Sequence, residues 1–279
     1  MLALLPALVR DEASRARMLD TLAHLPLPVA SAIVHVDGLP HDAPPLRAPG
    51  RPALPVRWLH RAQPAGKWSA IARALTIAGP PREPLLLIDA DDPMTPAGLA
   101  AFCAPGLTGG LDLVIGRRDR VALASSDRGG PDDARAVIEL YVNVLVTQRL
   151  AARTGLALPW TDLQSGLYLL SPQACARIDF GRVGDYGGEV ALFEQAVTQG
   201  LRWAERPVQA RVQQGSSYSI EQVCRSLAVL PLVREAGRDA LVAAREALPR
   251  AYPDHLRDVP APAVAASLDR LMRAIAAAQ

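Results

Sequence analysis

Three carboxylates crowd the end of one apolar run: in P-L-L-L-I-D-A-D-D-P, residues 84–93, Asp89, Asp91 and Asp92 follow Leu85–Ile88 directly. A short all-apolar run behind a proline reads as a strand buried on both faces. Such a strand delivers clustered negative charge to the C-terminal edge of a sheet, where open α/β sheets place their ligands. Carboxylates this close repel one another unless a cation sits among them, and hard divalent ions take oxygen ligands of this kind. The spacing predicts that Asp89 and Asp91 hold Mg2+ or Mn2+, which would neutralise a substrate diphosphate. Asp92, followed by Pro93, suits a helix cap equally well.

Other chemistry-bearing residues are scattered along the chain. Lys67 is its only lysine among 30 basic residues, in a background rich in Ala, Arg and Pro. Either chance placed it or its compact ammonium is needed, which Arg cannot imitate. Gly66-Lys67 opens a predicted helix, so the ammonium and free backbone N–H groups could meet a phosphate there, although the full G-x-x-x-x-G-K-[ST] loop is absent. Arg117 and Arg118 follow a predicted strand; one is expected to reach a diphosphate and the other to lie in a solvated turn. Asp162, in T-D-L-Q-S-G, is a candidate base or acceptor anchor, against the ordinary reading of a turn residue. Glu189 heads a helix, where a carboxylate is at home regardless of function. Asn143, the only asparagine, sits mid-helix, where a core hydrogen bond is the default. The five histidines show no ligand spacing and G-x-S-x-G is missing, so neither a zinc site nor a serine hydrolase is supported.

The elements that must position these groups follow from periodicity. Strands are expected at Leu2–Leu8, 30–36, 56–60, Leu85–Ile88, 111–115 and Leu167–Leu170, and helices at 11–25, 68–78, 96–103, 132–154 and 190–199. Residues 201–212 read as extended, with Pro207 confining them to an edge or a bulge. The alternation β-α-β-β-α-β at the start argues for an α/β fold with a mostly parallel sheet flanked by helices. Residues 220–248 and 264–278 form a helical tail. The 279 residues, half of them hydrophobic, suffice for one large domain with an appendage. A net charge of +2 gives no electrostatic case for nucleic acid. Three cysteines far apart imply no disulfide framework and a reducing compartment. No signal peptide or membrane span is expected, so the predicted location is cytoplasmic.

Taken together, the motifs resemble the family-2 glycosyltransferases of GT-A fold, nearest to the dolichol- and polyprenyl-phosphate sugar synthases. The likeness spans residues 1–219, leaving 220–279 as a C-terminal helical extension. G-K-W-S-A-I-A-R-A-L resembles the helix these enzymes place before the D-x-D strand, and L-L-L-I-D-A-D-D the D-x-D strand itself. L-D-L-V-I-G-R-R resembles their V-x-G-x-R strand. The helix around Asn143 with T-D-L-Q-S-G-L, and Y-G-G-E-V-A-L-F-E-Q-A through E-R-P-V and G-S-S, resemble the remaining motifs in order.

The resemblance implies a GT-A-like, Rossmann-like domain that transfers a sugar from a UDP- or GDP-linked donor with inversion, using Mg2+ or Mn2+. It implies that Asp89 and Asp91 contact the diphosphate and metal, that Asp162 is catalytic, and that Asp37, Lys67, Arg117, Gln164 and Glu189 contact substrate. Two departures touch the base and ribose region. The usual P-x-x-N-E reads P-A-L-V-R-D-E here, and the usual Asp-Asp-Gly-Ser reads Val36-Asp37-Gly38-Leu39. The implied acceptor is a lipid phosphate or a small molecule; for a hydroxyl acceptor Asp162 would be the base, for a phosphate it need only position. Alternatives are a nucleotidyltransferase, from the resemblance of L-I-D-A-D-D-P to a strand-end D-x-P, and a non-catalytic nucleotide-binding homologue. A homodimer is also admitted. Residues 220–233, apolar and edged by Arg225 and Arg234, allow two readings: a peripheral contact with the inner face of the membrane, or a face that covers the sheet domain.

Overall fold

The computed structural model describes residues 1–38, 54–90, 94–104, 109–118, 131–182, 186–209, 219–257 and 259–279. Asp91, Asp92 and the G-S-S stretch at 215–217 lie outside them. The chain divides into two compact units, Met1–Gly116 with Ser165–Ala210, and Arg117–Gln164 with Arg211–Gln279.

The first unit is built on a seven-stranded sheet: β1 (Leu2–Leu8), β2 (Ser31–Asp37), β3 (Val56–Arg61), β4 (Leu85–Ile88), β5 (Leu113–Arg118), β6 (Leu167–Leu170) and β7 (Trp203–Val208), in the order β3-β2-β1-β4-β6-β5-β7. The first four strands run parallel, whereas β6 is antiparallel to both β4 and β5. The mostly parallel α/β sheet expected from the sequence is therefore present. Its helices are α1 (Glu12–Ala23), α2 (Lys67–Ala78), which packs on β1 and β2, α3 (Pro96–Phe102), α5 (Pro172–Arg177) and α6 (Gly188–Thr198). All four residues of β4 are buried, as an interior strand of a layered α/β sheet requires. Pro207 lies in β7, an edge strand, where its missing N–H costs nothing. The cap of α3 is Thr95, whose hydroxyl accepts from the Gly98 N–H at 3.0 Å, with Pro96 in the first turn; Asp92 is not needed for it.

The second unit is helical. Its long helix α4 (Pro131–Thr154) packs against α7 (Ile220–Ala228), α8 (Pro231–Arg234), α9 (Arg238–Ala251) and α11 (Ala261–Ala278), with the short α10 (Pro253–Leu256) between the last two in sequence. Tyr141 pins it to α9 with a hydroxyl donated to the Leu241 carbonyl at 2.9 Å, and Tyr252 donates to the Thr161 carbonyl, in the segment after α4, at 2.8 Å. The tail breaks into separate helices because Pro231 cannot continue α7. Leu230 and Leu232, in the stretch that allows a membrane-facing reading, are 3% and 6% exposed, since α8 packs against α4, α7 and α11. The apolar face is thus internal to this unit. Among the described residues no helix is long and apolar enough to cross a membrane. All three cysteines are free and buried, and burial pushes the Cys103 and Cys175 thiols up to about 12.

One close approach in the first unit has no slack. A Cβ on Gly188 would lie 2.1 Å from the ring of Trp68, which is buried and stacked on Phe180 with centroids 6.3 Å apart. Gly188→Ala is expected to lower stability by about 1–3 kcal/mol, the range for overpacking a tight core. Urea unfolding checks it; an unchanged midpoint would show that the ring can move aside.

Candidate functional site

The strand-end carboxylate Asp89 follows β4 directly, and its N–H donates to the Gly166 carbonyl at 3.0 Å. Lys67 is the first residue of α2, and Glu189 the second of α6. The fold brings all three together. Lys67 Nζ stands 2.6 Å from Asp89 Oδ1 and 2.7 Å from Glu189 Oε1. The second carboxylate oxygen of Glu189 has no hydrogen-bond partner among the described residues, although Glu189 is 7% exposed. Burial works to discharge Lys67, but Asp89 and Glu189, with Tyr168 facing it, outweigh this and hold the ammonium well above the usual lysine range. Lys67 is therefore a charged group fixed between two carboxylates rather than a surface residue. Gly166 permits the approach: at φ +76° a Cβ there would sit 2.5 Å from Asp89 Oδ2. A tight crevice beside this cluster is lined by Pro6, Leu87, Ile88 and Tyr168 among others.

Asp37 ends β2 and is buried. Both its oxygens accept from Arg61, Oδ1 from Nε at 2.8 Å and Oδ2 from Nη2 at 2.5 Å, and Oδ2 also accepts from the Ala65 N–H at 3.2 Å. His35 Nδ1 lies 3.3 Å from Oδ1, off the line of a good hydrogen bond. Burial raises the Asp37 carboxyl, but His35, Arg61 and the Ala65 amide together hold it below the usual carboxylate range. A carboxylate offers about four acceptor positions. Arg61 and the Ala65 amide take three of Asp37's, and its carboxylate serves to hold Arg61 and the start of the following loop. Asp11, at the other departure from the family pattern, caps α1, accepting from the Ser14 N–H at 2.7 Å.

The second unit holds a separate buried ionic cluster. Arg118 donates to Asp162 through its backbone N–H at 3.1 Å, Nε at 2.8 Å and Nη2 at 2.8 Å. Its Nη2 also reaches Glu139 at 3.4 Å, and Glu139 accepts from Arg135 Nε at 2.7 Å. Burial disfavours the Arg118 charge, yet Asp162 and Glu139 raise its pKa further. His255 is pushed down by burial, against the pull of Asp162. Both oxygens of Asp162 are thus engaged by one guanidinium. Gln164 donates to Asn143 Oδ1 and to the Glu139 carbonyl, each at 3.1 Å, so Asn143 does make the expected core hydrogen bond. The expected solvated turn at Arg117–Arg118 is instead the end of β5: Arg117 is exposed and Arg118 buried.

Sequence reasoning missed Arg61, Glu139, Arg135 and Gly166. Arg61 was in principle readable, since β2 and β3 pair in a parallel register that sets Asp37 beside Arg61. Glu139 and Arg135 are one helical turn apart on α4, an i,i+4 pair whose partner Arg118 lies on another element.

Two measurements probe these carboxylates. A depressed folded pKa means that ionised Asp37 stabilises the protein fully above the unfolded value of about 3.8 and ceases to as pH falls through the lower folded value. Stability of the parent should therefore fall more steeply on acidification through that window than stability of Asp37→Asn; parallel profiles would exclude Asp37 as the source. Arg118→Met removes the guanidinium that engages both oxygens of buried Asp162 and is expected to cost about 3–5 kcal/mol in chemical unfolding, against near-neutrality if the cluster were solvated.

No protein-family model matches the chain, and no curated protein does. Solved structures are similar. Glucosyl-3-phosphoglycerate synthase of Mycobacterium tuberculosis aligns with a TM-score of 0.55 at 21% identity over 87% of this chain and 79% of its own. The same enzyme in complex with Mn2+, UDP-glucose and glycerol 3-phosphate gives 0.54 and 21% over the same shares. In complex with Mg2+ and UDP it gives 0.55 and 20%, over 87% and 78%. None of the three is a dolichol- or polyprenyl-phosphate synthase. At such identity the likeness is one of architecture, and the fold of this chain is the GT-A-like fold of nucleotide-sugar transferases, with C-terminal helices.

Proposed function

We propose that the protein is a metal-dependent glycosyltransferase that moves a sugar from a uridine diphosphate sugar to an acceptor carrying a phosphate. One observation carries the reading: the Lys67–Asp89–Glu189 cluster at the C-terminal edge of the parallel strands, the place where such sheets bind their ligands. Support comes from the solved structures, of which one is described with Mn2+ and UDP-glucose and another with Mg2+ and UDP.

The donor set suits such an ion. Asp89 brings a carboxylate at a strand end, and Asp91 follows two positions on. Hard oxygen donors of this kind fit Mg2+ or Mn2+. Among the described residues no three potential ligands converge; Asp91 is carried over as the second ligand because the resemblance of L-L-L-I-D-A-D-D to a D-x-D strand implies it. When bound, the ion would offset the charge that develops on a departing diphosphate. Lys67 would donate to the diphosphate oxygens, the open oxygen of Glu189 would accept from a sugar hydroxyl, and exposed Arg117 is carried over as a diphosphate contact. Asp37 would act through Arg61, whose guanidinium it orients. Gln164 is carried over as a substrate contact held by Asn143.

The acceptor class is read from Asp162. Both its oxygens accept from Arg118, which leaves it little capacity to take a proton and supports reading it as a positioning residue. A phosphate oxygen is already ionised and needs no base, so a phosphorylated acceptor, lipid or small, suits this arrangement better than a bare hydroxyl. Inversion by direct displacement, which the sequence resemblance implies, completes the reading.

A thermal-shift panel of UDP-, GDP- and CMP-sugars with and without Mn2+ tests it, because ligands of the native state stabilise by about 2.7 kcal/mol at a hundredfold excess over Kd. The expected result is a Mn2+-dependent rise with a UDP-sugar that Asp91→Asn abolishes while keeping its fold. No rise with any sugar nucleotide would reject the function. An equal rise in variant and parent would reject the metal assignment alone.

A further inference from the structure

Two carboxylates flank one ammonium in the Lys67 cluster, and Asp89 Oδ1 is already taken by it at 2.6 Å. A divalent ion at Asp89 would stand within a few ångström of the ammonium, and like charges that close repel strongly in a half-buried setting. We propose that Lys67 is a resident cation that competes with the metal for Asp89, so that the metal is captured only together with a diphosphate. This deepens the proposed function and rests on its reading of Asp89 as a metal ligand.

The diphosphate resolves the competition because it satisfies both cations. Its oxygens would accept from the Lys67 ammonium and so free Asp89 to serve as a ligand for the ion. Metal and nucleotide are then coupled, each raising the affinity of the other by the same factor. Glu189 keeps the ammonium nearby throughout, since its Oε1 lies 2.7 Å from Nζ on the other side.

The role accounts for the one lysine in a chain whose other 29 basic residues, 30 less Lys67, are arginine. A guanidinium spreads its charge over a planar fork and pairs bidentately with a single carboxylate. An ammonium is a compact charge with three donors that can serve two carboxylates on opposite sides and be handed from one oxygen to another.

Mn2+ alone is the probe, read as free Mn2+ by electron paramagnetic resonance on the parent, Lys67→Gln and Lys67→Arg. Lys67→Gln is expected to bind Mn2+ in the absence of nucleotide about tenfold or more tightly than the parent, the factor that follows from losing a competing charge-assisted bond. Lys67→Arg, which keeps the charge, should stay as weak as the parent. Equal or weaker Mn2+ binding by Lys67→Gln, or tightening by both variants, overturns the proposal. If Lys67→Gln does not fold alone, recovery of its near-ultraviolet circular dichroism on adding Mn2+ supports the exchange and failure to recover overturns it. A parent that binds no UDP with Mn2+ would defeat the glycosyltransferase reading, while the comparison with Mn2+ alone would still decide the role of Lys67.

Discussion

The ammonium of Lys67 ties together three elements that are far apart in sequence: the start of α2, the end of β4 and the start of α6. None of the three would place its charge there on local grounds alone. A cation in the first turn of a helix faces the positive end of the helix dipole and is disfavoured. Asp89 at a buried strand end is costly unless paired, and Glu189 buries a carboxylate at 7% exposure. Together they become tolerable, and the N-terminus of α6 adds favourable charge at Glu189. The surrounding packing serves this arrangement: Gly166 and Gly188 are the residues that let the Asp89 carboxylate and the Trp68 ring lie against neighbouring backbone.

Much of the scaffold was legible in the sequence because its signals are local. An apolar run fixed β4 and β6 to the residue, and period and proline spacing placed most helices within a turn. Errors fall where tertiary partners override local signals. Gly116-Arg117-Arg118 looks like the exit of a strand, since a buried arginine is improbable by itself; with Asp162 and Glu139 supplying counter-charge, β5 continues through Arg118. Residues 220–233 read as a face covered by the sheet domain or turned to a membrane, but they pack on α4, which ends at Thr154, far earlier in the chain, so no local pattern reveals the partner.

The site was legible as a set of residue types and much less as a set of contacts. Lys67, Asp89 and Glu189 each stand out separately, from a helix start, a strand end and a motif. Nothing local says that they share one charge, because Lys67 and Glu189 are 122 positions apart. Asp37 shows the same limit in reverse. Its position at the end of β2 invites a direct ligand contact, yet Arg61, brought alongside by the parallel register, takes up its acceptors.

Burial separates the two ionic clusters. The one in the second unit sets Arg118 between Asp162 and Glu139, with Arg135 on Glu139, and all but Arg135 are nearly fully buried. Removing one member of such a mutually hydrogen-bonded set leaves a charge short of its partner in a low dielectric. In the cluster around Lys67 one ammonium lies between two carboxylates, Glu189 Oε2 has no hydrogen-bond partner among the described residues, and the ammonium and Asp89 keep partial access to solvent. The cluster sits at the sheet edge where open α/β sheets receive ligands, and a buried polar atom left short of a partner there is the ground for reading it as a binding site.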